Sequence, residues 1–81
     1  MNDENKTKLI KIFIKILKGV DKNTFDFSKD RTDFEDWDSL AHMQLVSEVE
    51  SAFGITFEMD EVIEISKPED FLLLIRKRQN G

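Results

Sequence analysis

The chain reads as all-α: a bundle of three full helices and one short one, with a long loop after the first. Three observations predict this. Breakers are sparse, with one Pro and three Gly in 81 residues, as expected of helices joined by a few defined turns. The apolar residues recur at helical spacing, and Gly19 and Gly54 stand where two of those periodic runs stop, the place of a left-handed terminator. A single domain spanning 1–81 follows from the length, since half of it is too small to bury a core. Short flexible ends are expected at about 1–5 and 79–81.

The first helix is expected from Lys8 to Val20. Ile10, Ile12, Ile14 and Ile16 alternate as in a strand, so the two periods must be compared. At about 100° per residue, Lys8, Lys11, Lys15 and Lys18 fall in one narrow arc. Leu9, Ile10, Ile12, Phe13, Ile14, Ile16, Leu17 and Val20 fill the remainder. A strand instead puts Phe13 and Leu17 on the face of Lys11 and Lys15, so the helix is preferred. The lysine row reads as a solvated face, with a docking patch as the alternative. Val20 to Trp37 breaks the pattern, and a loop of that length is uncommon unless functional or anchored. Phe25, Phe27 and Phe34 read as its anchors. Asp21, Asn23 and Asp26 suggest a calcium loop, but Phe25 sits at the fifth position, Asp26 where Gly is required and Thr32 where the bidentate Glu belongs.

The second helix is expected from Ser39 to Phe53, ended by Gly54. Asp38 is a suitable N-cap, accepting from the amide of Leu40 or Ala41. Ala41, Leu45, Val46, Val49, Ala52 and Phe53 form its core-facing arc, and Ser39, Leu40, Met43, Gln44, Ser47 and Ser51 lie outside it. A short segment from Met59 to Ile65 offers Val62, Ile63 and Ile65 for burial. The last helix starts near Pro68, with Ser66 and Glu69 spaced as a capping box. Phe71, Leu72, Leu74 and Ile75 are its buried stripe, and Arg76, Lys77 and Arg78 favour its C-terminal dipole.

Composition narrows the function. Net charge is −5, against a general nucleic-acid binder, which presents a basic face to phosphate. No Cys is present, which removes disulfides, thiolate metal sites and Cys nucleophiles and suits a reducing cytoplasm. The longest apolar run, Phe71 to Ile75, is far short of a membrane span, and MNDENKTK lacks the apolar stretch of a signal peptide. The single His excludes any site that needs two imidazoles. A small, acidic, soluble, cytoplasmic domain is expected.

The stretch that carries chemistry is Trp37-Asp38-Ser39-Leu40-Ala41-His42-Met43-Gln44-Leu45-Val46. Ser39 lies in the first turn of a helix and outside its apolar arc, so its hydroxyl should be accessible. The free amides and positive dipole end of that turn favour an anion, so a phosphate ester on the hydroxyl is electrostatically suited. Leu40 and Met43 flank it on the solvent side, either as contact surface or as incidental surface hydrophobes. His42, three residues on, invites a Ser-His-Asp reading. Sequence adjacency supplies neither an oriented base nor an oxyanion hole, and packing at the core edge or against Trp37 accounts for it better.

Asp38-Ser39-Leu40, followed by Leu45-Val46, Val49, Glu50 and Phe53-Gly54-Ile55, resembles an acyl carrier protein. The likeness runs over roughly residues 7 to 78, taking in Phe57 to Ile65 as the loop and short third helix and Pro68 to Arg78 as the fourth. It implies an acyl-carrier-like four-helix bundle with a long loop between helices 1 and 2 and a short helix 3. It also implies 4′-phosphopantetheine, transferred from coenzyme A to Ser39 by a phosphopantetheinyl transferase, with an acyl or aminoacyl group held on the arm as a thioester. Such a chain is a carrier and no enzyme. Its implied partners are the transferase and the acyl-loading and acyl-transferring enzymes, with Asp38 placing the serine and Leu40 and Met43 as partner contacts. No metal of its own, no membrane and a monomeric state are expected. The family's carriers of bulk fatty-acid synthesis usually place acids just after the Ser-Leu pair. Here Ala41, His42 and Gln44 stand there, and Trp37 precedes Asp38, more like stand-alone carriers of specialised pathways. Asp30, Asp33, Glu35 and Asp36 upstream offer charge for a partner or plain loop solvation. The rival reading is a helical protein-interaction module that keeps the bundle and uses no arm.

Overall fold

Helical periodicity decides the architecture. In the computed structural model, which describes residues 3–80, the helices are α1 (Asp3–Ile16), α2 (Ser39–Phe53), α3 (Met59–Glu64) and α4 (Pro68–Asn80), with a short 3-10 turn at Arg31–Asp33. No strand occurs among the described residues. The expected all-helical bundle is therefore observed.

The core is built where the helical stripes meet. Leu9 and Phe13 of α1, Leu45 and Val49 of α2, and Phe71 and Ile75 of α4 are fully buried. Phe13 is the hub: its ring lies 5.3 Å from Phe25, 5.3 Å from Trp37 and 5.9 Å from Phe71, each near the edge-to-face geometry that aromatic quadrupoles prefer. Phe34 sits 6.1 Å from Phe13 and Phe27 is 4.9 Å from Phe25. The three loop phenylalanines thus anchor the loop, as the sequence suggests. Backbone bonds tie it further: the Arg31 amide donates to Ser66 O at 2.7 Å and the Glu69 amide to Phe27 O at 3.0 Å. Asp21, Asp26 and Asp30 each accept from the amide two residues on, which makes them turn formers.

Several local expectations are corrected. The first helix starts and ends earlier than the Lys8 to Val20 periodicity indicates. At its start, Asn5 is buried and its side-chain amide donates to Gln79 Oε1 of α4 at 2.9 Å. The docked end of α4 thus supports a turn that residues 3–7 could not hold alone. Asp3–Asn5 and Gln79 are helical; residues 1, 2 and 81 of the expected flexible ends lie outside the described residues. At the other end, the Lys18 amide turns from the helix to Asp36 Oδ2 at 3.2 Å, and Gly19 takes φ +76°. Ala52 is exposed and Phe53 only half-buried, the latter under the Lys8 ammonium at 5.3 Å. The partner of Ser66 is not Glu69 but Asp70, whose Oδ2 accepts from the amides of Ser66 and Lys67 at 2.9 and 3.1 Å. Ile63 points outward, 69% exposed, because Val62 and Ile65 share one side of α3 and Ile63 lies about 100° round from Val62.

Candidate functional site

Asp38 sets the start of α2. Its extended backbone (φ −96°, ψ −171°) precedes the helix, and its Oδ1 accepts from the Ala41 amide at 2.8 Å. Its own carbonyl accepts the first helical bond, from the His42 amide at 2.8 Å. Helix geometry leaves the amides of Ser39 and Leu40 without intrahelical acceptors. Ser39 is exposed in this turn, and Leu40 and Met43 beside it in sequence are 69% and 50% exposed. All four residues predicted at the site therefore come together at one helix end, with Asp38 committed to the cap.

Beneath that turn lies a buried polar chain that the sequence shows only in part. The Trp37 indole N–H donates to His42 Nδ1 at 2.9 Å. An indole nitrogen can only donate, so Nδ1 carries no proton and the neutral ring is protonated at Nε2. That nitrogen lies 2.8 Å from the Val62 carbonyl and donates to it, joining α2 to α3. The rings of Trp37 and His42 stack at 6.0 Å with 22° between planes. Both imidazole nitrogens are thus occupied and the Asp38 carboxylate serves Ala41, so Ser39, His42 and Asp38 form no triad. The proximity of His42 to Trp37 is legible from their spacing; the Val62 carbonyl, 20 residues away, is not.

The sequence around the serine is acidic, and the nearest cation along the chain upstream, Arg31, has its guanidinium 5.8 Å over the Trp37 ring. No Lys or Arg occurs from residue 32 to residue 66. Of the four acids upstream, Asp36 is committed to the Lys18 amide and Asp30 to the 3-10 turn. Asp30 takes the Thr32 hydroxyl at 2.7 Å and the Thr32 amide at 3.0 Å. Those two bonds, the hydroxyl's first, hold the Asp30 carboxyl below its usual range. Asp33 and Glu35 remain exposed. Two apolar residues of α3 are also exposed, Met59 at 66% and Ile63 at 69%, the second against its expected burial. The angular offset of Ile63 from Val62 was the available signal for the second.

The family model described as the phosphopantetheine attachment site matches residues 7–75 of this chain. The chain belongs to that family. The match spans most of the bundle and bears out both the resemblance to the acyl carrier proteins and the prosthetic group, since a domain of this family is where 4′-phosphopantetheine is covalently attached. A carrier domain of this kind meets the enzyme that modifies it and enzymes that handle acyl groups. Comparisons with curated proteins and with solved structures gave no match. No helix among the described residues is long and apolar enough to cross a membrane.

Proposed function

We propose that Ser39 is the attachment residue and that the chain carries an acyl or aminoacyl group as a thioester on the arm, presenting it to partner enzymes. One observation carries the assignment: within the matched span, an exposed serine hydroxyl occupies the first turn of a helix whose cap is already made by another residue. That turn suits a phosphodiester, because two amides without helical acceptors and the positive end of α2 face the place a phosphate would take. Had Ser39 been the cap, its oxygen would have been tied to the backbone. Asp38 frees it for that reaction.

In the loading reaction Ser39 Oγ attacks the pantetheine-side phosphorus of coenzyme A. The new P–O bond forms as the diphosphate bond breaks, adenosine bisphosphate leaves, and the hydroxyl proton is taken up by a base of the transferase. The arm supplies a thiol, which the cysteine-free chain lacks. Ser39 then serves as a tether that raises the local concentration of cargo at a partner's active site. Leu40 and Met43 give the partner an apolar foothold beside that tether. The chain turns over nothing by itself and acts in the cytoplasm as a monomer.

Intact mass of the purified protein, before and after incubation with coenzyme A, magnesium and a broad-specificity phosphopantetheinyl transferase, tests this. The expected result is a gain of one phosphopantetheine that maps to Ser39 and is abolished in Ser39→Ala, with the folded state unchanged because the Asp38 cap survives. No gain from folded protein, beside a working control carrier, would overturn the assignment and put the interaction module in its place.

A further inference from the structure

His42 is a buried, titratable side chain with no part in loading, and it spans the seam between α2 and α3. It lies three residues beyond Ser39, about 4.5 Å along the helix axis. It is 6% exposed and bonded on both sides, to Trp37 and to the Val62 carbonyl. Deeper in the bundle, Leu45, Val49 and Phe71 are fully buried and Val62 nearly so. No buried side-chain polar atom among the described residues lacks a partner.

This arrangement bears on where a tethered cargo can lie. A long alkyl group is drawn toward any apolar interior it can reach. His42 crosses the α2–α3 seam about one helical turn beyond Ser39. Parting α2 from α3 there separates Nε2–H from the Val62 carbonyl, which keeps its bond from the Ile65 amide, and leaves the His42 donor buried without a partner, a penalty that a purely apolar seam would not impose. The cavity between α3 and α4, about 190 Å³ and lined by Glu61, Glu64, Ile65, Asp70, Leu73 and Leu74, takes no residue from α2. On the outer surface beside Ser39, Leu40 and Met43 offer an alkyl chain little cover.

We propose that His42 is a specificity-determining residue that keeps the α2–α3 seam shut to the cargo. The chain then carries short or polar acyl groups displayed in solvent, and not long alkyl chains folded into the bundle. The inference rests on attachment at Ser39, and its test separates the two. The transferase loads the native protein directly from acetyl-, hexanoyl- and decanoyl-coenzyme A, and intact mass verifies each product. Thermal midpoint and Trp37 emission are then read for each. Trp37 reports directly, being bonded to His42.

In the native protein both readouts are expected to be the same for all three cargoes. In His42→Leu, which keeps an apolar filling but neither hydrogen bond, decanoyl is expected to raise the midpoint by about 4 °C or more over acetyl and to shift Trp37 emission. A midpoint that climbs with chain length in the native protein overturns the proposal without recourse to any variant. Equal midpoints in both proteins overturn the role of His42. Failure to load any of the three thioesters is a different result, since it removes attachment itself and this inference with it.

Discussion

Residues 17–38 and residues 55–67 lead into and out of α2, and both reach the core, but by different routes. The first segment is irregular, yet Phe25, Phe27, Phe34 and Trp37 reach the aromatic cluster around Phe13, and Asp21, Asp26 and Asp30 fix its turns. The second contains a regular helix, yet α3 itself buries only Val62. Phe57 and Ile65 flank that helix in the core, Phe57 6.1 Å from Phe71, and polar contacts add to them: His42 to the Val62 carbonyl, and Glu61 to Arg78 and Lys77 of α4. The Arg78 Nε also donates to Thr56 O at 3.0 Å, and Glu50 of α2 takes the Phe57 amide at 2.8 Å. Both sides of the serine are thus seated in the core, and the α3 side adds ion pairs and a side-chain-to-carbonyl tie to its neighbouring helices. Apolar anchors bury area in proportion to their size, whereas surface ion pairs contribute little each and depend on pH and salt.

The largest test of this contrast is Phe13→Ala. It empties the hub on which the loop is seated and should cost about 3–5 kcal/mol in chemical denaturation. A loss near 1 kcal/mol would mean the loop is seated by its backbone bonds instead.

Trp37→Phe should have a smaller effect, about 1–3 kcal/mol. It keeps much of the ring packing but leaves His42 Nδ1 a buried acceptor with no donor. Circular dichroism would measure the loss, and hydrogen exchange should show faster opening at Val62 and Ile63 than at Phe34. Equal acceleration on both sides would show that Trp37 serves the loop and not α3.

The smallest effect is expected from acid. The Glu58 amide, at 2.8 Å, and then Arg78 favour the Glu61 carboxylate, which lowers its pKa below the ordinary 4.5. A depressed carboxyl contributes stability that is present above its unfolded value and lost as pH falls through its folded one. The contribution of Glu61 should thus persist to pH 4.5 and fade below it, with the amides of α3 exchanging faster first. Asp26 and Asp30 are also depressed, chiefly by the Ser28 and Thr32 hydroxyls. The loop keeps its aromatic anchors when these are protonated and should open later. Glu61→Gln should flatten the acid response of α3; an unchanged response would place the sensitivity elsewhere.

Features under local control could be read from the residues alone. The bounds of α2, the Asp38 cap, the exposure of Ser39, Leu40 and Met43, and the left-handed Gly19 and Gly54 follow from periodicity and from contacts three or four residues apart. The serine's place was legible for that reason. Tertiary structure alone decided the rest. The ends of α1 are set by Gln79 and Asp36, and the Ser66 turn is closed by Asp70 where the spacing favoured Glu69. Above all, the Val62 carbonyl completes the bonding of His42 from 20 residues away. A backbone carbonyl carries no mark in the sequence, and its availability to a side chain is settled only when α2 and α3 dock.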